Sequence, residues 1–279
     1  MLIIRKFLHD IPAAVGLLIV FMVCVVAAFG PMFVPYPDDA FAINVLSRLQ
    51  PPSAEHIFGT DNLGRDVFTR VILGTRSALI TGLIVVIAAL LIGVTLGLIA
   101  GYSNSVPSHV IMRVTDVFLS IPQLLLALAI AQLLGAGKAS AMIALTAAYW
   151  PFFARIVYAD TRRLKSSLFV DALHSLGAGR WRIMFLHILP NSLSSIIVRA
   201  TVGLGFTILV AATLAFLGIG AAPPDPDWGL AIAQARLYLP TAWWFSLFPG
   251  IAIFLTVLGF NLIGDGLRDL VDPRLRRSR

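Results

Sequence analysis

The chain has 279 residues and a net charge of +7, and 58% of its residues are apolar while only 13% are charged. Its mean hydropathy of +0.90 excludes an ordinary soluble domain and indicates a protein that lies in a lipid bilayer. Backbone groups in hydrocarbon must bond internally, so such a chain crosses as helices or as a closed barrel. Barrels have short alternating segments, whereas this sequence has long apolar runs, and we therefore predict an all-α protein.

Six stretches lack Asp, Glu, Lys and Arg, and they are close to or above the roughly 20 residues that a helix needs to cross a bilayer. They are 11–37, 77–112, 117–137, 139–154, 200–224 and 237–264. The fourth is the shortest, but apolar residues after Arg155 extend it when the arginine side chain reaches the interface. We predict a polytopic protein with six transmembrane helices. The lone Cys24 lies in the first stretch and excludes an intrachain disulfide.

The basic residues indicate the orientation of these helices. With a cytoplasmic N-terminus, thirteen lie on the cytoplasmic side, namely Arg5, Lys6, Arg113, Arg162, Arg163, Lys165, Arg180, Arg182, Arg268, Arg274, Arg276, Arg277 and Arg279. Six lie on the other side, namely Arg48, Arg65, Arg70, Arg76, Lys138 and Arg236. Arg155 and Arg199 are left out as membrane-edge residues. Basic residues accumulate in cytoplasmic loops, so we expect both termini in the cytoplasm.

The predicted spans divide the chain into three parts. Residues 1–75 hold the first helix and an extracytoplasmic loop, and residues 76–265 hold a core of five helices with a cytoplasmic loop at 165–190. Residues 266–279 form a basic cytoplasmic tail. We interpret the net positive charge as arising from basic residues that set the orientation in the membrane and contact anionic membrane lipid. Nucleic-acid binding is disfavoured because the chain has no soluble basic domain.

The extracytoplasmic loop contains the polar stretch FGTDNLGRDVFTR at 58–70. Asp61, Arg65 and Asp66 fall at helical spacing, which predicts an ion-paired amphipathic helix on the outer leaflet. A direct role of these residues at the substrate entrance is the alternative.

Glycine and proline predict how the spans pack and bend. Gly93, Gly97 and Gly101 lie on one face of the second span, where another helix backbone can approach closely. Proline removes a hydrogen bond and bends a helix, which suits either a cavity that opens and closes or plain packing. Such prolines within or at the ends of later spans are Pro122, Pro151 and Pro249.

The sequence predicts no catalytic, cofactor-binding or metal-binding residue in this chain. All 14 carboxylates lie in loops or within about two turns of a span end, Asp116 and Asp160 being the most central, which disfavours a proton-coupled carrier. The stretch LGAGKAS at 134–140 lacks the spacing of a phosphate-binding loop. The five histidines form no paired metal-ligand motif, and no serine lies in a nucleophile motif.

A polar segment of about 25 residues separates the fourth and fifth predicted spans. Residues 166–176 are predicted to form a helix with Ser166 or Ser167 as N-cap. Its apolar side would carry Leu168, Phe169, Ala172, Leu173 and Leu176. Gly177 would then supply the left-handed turn that ends such a helix.

A second helix is predicted at about 179–188, with Pro190 in the first turn of the fifth span. The segment would thus be a helix–turn–helix hairpin facing the cytoplasm. The alternative is a hairpin that rests on lipid headgroups, with Arg180 and Arg182 holding phosphate.

The hairpin resembles the signature loop of ABC importer permeases, in which E-A-A-x-x-x-G precedes a hydrophobic residue, a histidine and a Leu-Pro ending. The matching residues are Asp171, Ala172 and Leu173 at the E-A-A positions, Gly177, Ile183, His187, Leu189 and Pro190. Asp171 keeps the charge of the usual Glu with a shorter reach. Four further stretches look like the second permease subunit of dipeptide, oligopeptide and nickel importers: 58–70, MRVTDVFLSIPQLLLALAIAQLLGAG, LAFLGIGAAPPDPDWGLAIAQAR and GFNLIGDGLRDLVDPR. Ala211 and Ala215 depart from it, because many relatives carry Glu and Ser there.

The resemblance implies the type I ABC importer permease fold and a heteromeric machine. Its other members would be a second homologous permease subunit, two cytoplasmic ATPase subunits that bind ATP and Mg, and an extracytoplasmic substrate-binding protein. The short helix around 169–177, including Phe169 and Leu176, would be a coupling helix that docks on one ATPase. Coupling would rest on Asp171, Ala172 and Gly177, and His187, Leu189 and Pro190 would anchor the hairpin.

Peptide is the leading cargo by this resemblance, while opine, glutathione-like conjugate and chelated nickel stay open. Two other classes of protein are alternatives. A stand-alone ion-coupled carrier would need inverted repeats and central ionisable residues, and neither is visible. A membrane-bound enzyme would need a polar cluster at one leaflet, for which Asp61, Arg65 and Asp66 are the candidates.

Overall fold

The computed structural model describes residues 10–34 and 38–271. This described part is helical, and it contains no strand beyond one isolated bridge between Thr60 and Asp66. Several residues used in the sequence predictions lie outside it, namely Arg5, Lys6, residues 35–37 of the first apolar stretch and residues 272–279 of the predicted tail.

Nine helices follow one another in the described residues. They are α1 (Ile11–Phe33), α2 (Val67–Tyr102), α3 (Val106–Ser120), α4 (Gln123–Leu134), α5 (Lys138–Lys165), α6 (Leu168–Ser175), α7 (Arg180–Phe216), α8 (Trp228–Ala235) and α9 (Trp244–Val271). Two short 3-10 turns precede α2, at Asp38–Ala40 and Val45–Ser47. Within α7, residues Met184–Ile188 form a π-helical turn.

Five of these helices, α1, α2, α5, α7 and α9, are long and apolar enough to cross a bilayer. The pair α3 and α4 passes the same test together, although its axes differ by 96°. The pair begins beside the end of α2, where the Ser108 hydroxyl donates to the Ala100 carbonyl at 2.5 Å. It ends beside the end of α7, where the Gly137 N–H donates to the Ile219 carbonyl at 3.3 Å. It therefore traverses the bundle as one broken span, and the prediction of an all-α polytopic chain is confirmed.

The bundle has two distinguishable ends. The hairpin end carries α6, the end of α2 and the start of α3, and the loop end carries residues 56–70 and the start of α5. At the loop end, the Trp244 indole at the start of α9 donates to the Thr60 carbonyl at 3.1 Å. A Cβ on Gly16, near the start of α1, would lie 2.6 Å from Leu262 Cβ, near the end of α9. The first described residues of α1 and the last of α9 thus lie at the hairpin end.

The predicted bounds of the third and fifth spans were wrong. The third span was predicted as 117–137, but α3 begins at Val106 and the chain breaks at Ile121 and Pro122, both outside the helical region. The break arises because proline disfavours a helical conformation in the residue before it. The fifth span, predicted to begin at about Pro190 and to include the charge-free stretch 200–224, is helical from Arg180 and ends at Phe216. The short helix α8 was not predicted.

Residues 58–66 form a buried loop and not the amphipathic surface helix that the spacing predicted, and residues 67–70 are the first turn of α2. The Asp61 carboxylate accepts hydrogen bonds from the Leu63 and Arg65 N–H groups and pairs with the Arg65 guanidinium at 2.6 Å. Arg70 lies 3.6 Å from the same carboxylate. Local backbone bonds to an Asp side chain favour a turn over a helix, which explains the difference. Asp66, predicted in the same helix, instead caps α2 by accepting from the Thr69 N–H at 2.7 Å.

This buried ionic cluster joins the loop to the segment after α7. Arg70 donates to the carbonyls of Pro224 and Asp225 at 3.2 and 3.0 Å, and Arg65 donates to the Gln234 side chain at 3.3 Å. Burial raises the pKa of Asp227, which accepts from the Leu230 N–H as the cap of α8. The cluster therefore fixes the start of α2 against α8 at the loop end.

The longest packing contact in the bundle joins α2 and α5, and it follows the predicted glycine face. A Cβ on Gly93 would lie 2.4 Å from the Trp150 carbonyl oxygen, and one on Gly97 would lie 2.6 Å from that of Ala154. Because those oxygens belong to a helix backbone, they cannot move aside as a flexible side chain would. The prediction of a close-packing helix is confirmed.

Gly97→Ala should destabilise the assembled protein by about 1–3 kcal/mol, since overpacking forces α2 and α5 apart. The matched control is Gly250→Ala in α9, where a new Cβ meets nothing within 4 Å and alanine is the better helix former. Thermal unfolding in detergent should give a lower Tm for the first variant and an unchanged or higher Tm for the second. Equal Tm values would contradict the close approach.

Candidate functional site

The helix α6 is short because both of its ends are fixed locally. Ser167 occupies the N-cap position with extended backbone, but its hydroxyl donates to the Leu164 carbonyl and does not cap the helix. At the other end, the Gly177 N–H donates to the His174 carbonyl and the Ala178 N–H to the Leu173 carbonyl, both at 3.0 Å. This pair of bonds is the Schellman motif, which requires a left-handed residue. Gly177 has φ +76, as predicted.

The second arm of the hairpin is not the separate helix predicted at 179–188. The helix starting at Arg180 continues directly into the long membrane helix, through the π-helical turn at Met184–Ile188. Pro190 has no N–H and its ring crowds the carbonyl four residues earlier, so a wider turn accommodates it. The Asn191 side chain and the Ser192 hydroxyl donate to the His187 and Ile188 carbonyls at 2.7 and 3.1 Å.

An apolar cluster holds the hairpin against the membrane helices. Val170, Ile183 and Ile188 are fully buried in it. Their partners come from α2, α5 and α7, and they are Val94, Leu98, Tyr102, Val157, Met184 and Ile196. We call this set, with the three hairpin residues, the anchor cluster. It places the hairpin in contact with α2 and α5, and the second arm of the hairpin is itself the start of α7.

Polar contacts reinforce the anchor cluster at the end of α2. The Tyr102 hydroxyl lies 3.0 Å from His174 Nε2 on α6, within hydrogen-bond distance. Lys165, at the end of α5, donates to the Tyr102 carbonyl at 2.6 Å and lies 5.3 Å from the centre of its ring. Tyr102 therefore connects α2, α5 and α6 through one side chain and one carbonyl.

The residues predicted for one apolar side of α6 divide between two faces. Leu173 is half-buried and packs on the anchor cluster, whereas Phe169, Ala172 and Leu176 are exposed. The inward position is taken by Val170, which the prediction omitted. Eight residues make only about two helical turns, and the spacing of apolar residues over so short a helix does not define which side is buried.

The remaining predicted site residues also differ in burial. Ile183 is fully buried, and His187 and Leu189 are half-buried, with Leu189 packed against the anchor cluster. Asp171, Gly177 and Pro190 are exposed. Sequence reasoning did not single out His174 or Tyr102, and their spacing of 72 residues carries no local signal that would pair them.

The outer surface of the hairpin is unusually apolar for a segment beyond a bilayer. Leu168, Leu176 and Trp181 are 86%, 82% and 65% exposed, and Trp181 stacks on Phe185 with ring centres 5.9 Å apart. Exposed apolar patches of this kind mark surfaces for other proteins or lipid. The described residues contain no group of three potential metal ligands. The arrangement suits docking and transmission of movement.

Comparison with known families identifies two matching regions. Residues 93–277 match the family described as binding-protein-dependent transport system inner membrane component. Residues 1–52 match the family described as the N-terminal transmembrane domain of oligopeptide transport permease C. The first region contains the hairpin and most of the helix bundle.

Curated relatives match over nearly their whole length. The dipeptide transport system permease protein DppC of Alkalihalophilus pseudofirmus is 46% identical over 95% of this chain and 86% of its own. The glutathione transport system permease protein GsiD of Pectobacterium atrosepticum is 41% identical over 98% of this chain and 90% of its own. The probable D,D-dipeptide transport system permease protein DdpC of Escherichia coli K12 is 42% identical over 92% and 85%.

These matches cover the bundle, the glycine face and the hairpin, and they agree with several apolar helices that can cross a bilayer. The chain therefore belongs to the family of inner-membrane components of binding-protein-dependent transport systems, as a multi-pass permease of the bacterial inner membrane.

Proposed function

We propose that this chain forms half of the translocation path of an ATP-driven importer for di- or oligopeptides. A second homologous permease subunit would form the other half, and an extracytoplasmic binding protein would deliver the cargo. Two cytoplasmic ATPase subunits would bind ATP and Mg, so this chain would need no cofactor and carry out no catalysis. The names of the relatives, which include dipeptide and glutathione permeases, support this class of cargo.

The observation that carries the coupling proposal is the contrast between the two sides of the hairpin. Its inner side is locked into the anchor cluster by fully buried Val170 and Ile183. Its outer side presents Leu168, Leu176 and Trp181 with no covering partner in the described residues. An apolar helix face of this kind fits a groove on another protein. A rigid contact on one side and a docking surface on the other transmit movement between subunits.

The proposal implies that the hairpin end faces the cytoplasm, together with both termini. Arg162, Arg163 and Lys165 at the end of α5 and Arg180 and Arg182 on the hairpin support this side, since basic residues favour cytoplasmic segments.

Uptake assays in vesicles test the energy source. The complete transporter should import peptide only when ATP is present on the ATPase side and the binding protein on the opposite side. A transmembrane gradient of protons or sodium should not replace ATP. Uptake by this chain alone, driven by such a gradient, would contradict the proposal and support an ion-coupled carrier.

Gly177→Val should uncouple uptake from ATP hydrolysis. Its φ of +76 is strained for a β-branched residue by about 1–3 kcal/mol, although the space around it is open. Strain of about 1.4 kcal/mol lowers the population of the intact turn relative to its opened form tenfold. We therefore expect peptide uptake per ATP hydrolysed to fall about tenfold. Recovery of the ATPase subunits on purification checks that the complex still assembles.

Gly179→Val is the matched control, since Gly179 lies in the same turn and in open space but has φ −67, which valine adopts freely. It should retain most of the uptake. Normal coupling in Gly177→Val, or equal losses in both variants, would refute the role of the left-handed turn.

A further inference from the structure

Three charged residues lie within about one helical turn of the same depth, on α5 and on the two helices α3 and α7 that pack against it. We call Asp116, Arg155 and Arg199 the charged layer. Asp116 in α3 and Arg155 in α5 each lie ten residues from the hairpin end of their helix. Arg199 lies in α7, and its guanidinium carbon lies 4.7 Å from the centre of the Phe152 ring, one turn along α5 from Arg155. At 1.5 Å per residue, Asp116 and Arg155 lie about 15 Å from the hairpin ends of their helices, and the Arg199 side chain meets α5 roughly 5 Å further from that end. Charges at such a depth are costly in lipid and face a protein interior or a water-filled cavity.

Only one of these charges is left without an opposite charge. Arg155 Nη2 lies 2.6 Å from Asp116 Oδ1, and this ion pair neutralises both groups. Within the described residues no carboxylate lies within 4 Å of the Arg199 guanidinium, and its buried Nε has no hydrogen-bond acceptor. The three residues together therefore carry one net positive charge.

Aromatic rings of α5 hold the Arg199 side chain in place. Its guanidinium carbon lies 4.7 Å from the centre of the Phe152 ring and 5.5 Å from that of Tyr149. An arginine that reaches for lipid headgroups extends away from the protein, whereas this one folds back over α5. Stacking on a ring uses the face of the guanidinium and leaves N–H groups at its edge available to an anion.

The surroundings of the charged layer are open at the surface of this chain. The Arg155 and Asp116 side chains are 51% and 40% exposed. Phe152 and Arg155 are three residues apart on α5, so the ring under Arg199 and the ion pair lie on one helix face. A cavity of about 310 Å³ continues from Asp116 towards the hairpin end, and it is lined by Ser108, His109, Met112, Arg113, Asp116 and Tyr158.

We propose that this face of α3, α5 and α7 lines the translocation path, and that Arg199 binds the carboxylate of the peptide as it passes. A planar guanidinium binds a carboxylate through two parallel N–H···O bonds, and the net positive charge of the layer attracts an anionic group. The Asp116–Arg155 ion pair adds no net charge to the part of the path that α3 and α5 form beside Arg199. The assignment rests on the proposed peptide cargo and adds the residue that recognises it.

Uptake of alanyl-alanine and of alanyl-alaninamide, which lacks the carboxylate, tests the assignment in vesicles that contain the complete transporter. Each ligand is supplied at a concentration that saturates the binding protein. Each variant is compared with the unaltered transporter for the same ligand, so any preference of the binding protein for the acid or the amide cancels. Arg199→Gln should lower uptake of the free acid about tenfold or more, since hydrogen bonds between charged groups are strong. Uptake of the amide should stay unchanged or rise.

Arg199→Lys keeps the charge and should retain more uptake of the free acid than Arg199→Gln. Arg163→Gln is the matched control, because Arg163 lies at the hairpin end of α5, exposed and paired with Asp160 at 3.2 Å. It should affect the acid and the amide equally.

Equal losses for the two ligands in Arg199→Gln would overturn the carboxylate site and indicate a structural role. A loss that depends on the fraction of anionic lipid in the vesicles, and not on the ligand, would overturn it in favour of a headgroup contact. If the unaltered transporter imports neither ligand, the peptide function itself fails, and the assignment that rests on it fails with it.

Discussion

The anchor cluster is the contact on which the account of this permease depends. In it, Val170 of α6 and Ile183 and Ile188 at the start of α7 are fully buried against α2 and α5. Each fully buried side chain of this size contributes about 1.5–3 kcal/mol relative to an exposed one. Without this burial, an eight-residue helix would be too short to stay folded and could not transmit a displacement.

Close contacts also join the membrane helices beyond the anchor cluster. Gly93 and Gly97 let the backbones of α2 and α5 come into direct contact. At the loop end, the buried pair of Asp61 and Arg65 fixes the start of α2, with Arg70 bound to the segment before α8. The broken span α3–α4 has the sharpest bend, of 96°, and α3 carries one side of the charged layer. In the proposed mechanism, movement at the hairpin would reach the path through these packed helices.

The sequence predicted those features that depend on local chemistry. Apolar runs predicted the membrane helices, and the four-residue glycine spacing predicted a closely packed face, which is the α2–α5 contact. Gly177 predicted the left-handed turn. The sequence did not predict the buried loop at 58–66, because the spacing of Asp61 and Arg65 is the same in a helix and in an Asp-bonded turn. The Tyr102–His174 contact and the anchoring by Val170 depend on tertiary packing that a short pattern does not contain. The role of the hairpin residues in coupling stays a prediction.

Cross-linking from the outer face of the hairpin tests the central claim most directly. Leu176→Cys in a Cys24→Ser background places one thiol on the exposed tip, and Leu237→Cys, also exposed, places it near the loop end. A short thiol-to-amine cross-linker applied to the assembled transporter should join Cys at position 176, and not at 237, to an ATPase subunit. Labelling of position 176 in intact cells by a reagent that cannot cross the membrane, or cross-linking to the ATPase from position 237 alone, would contradict the account.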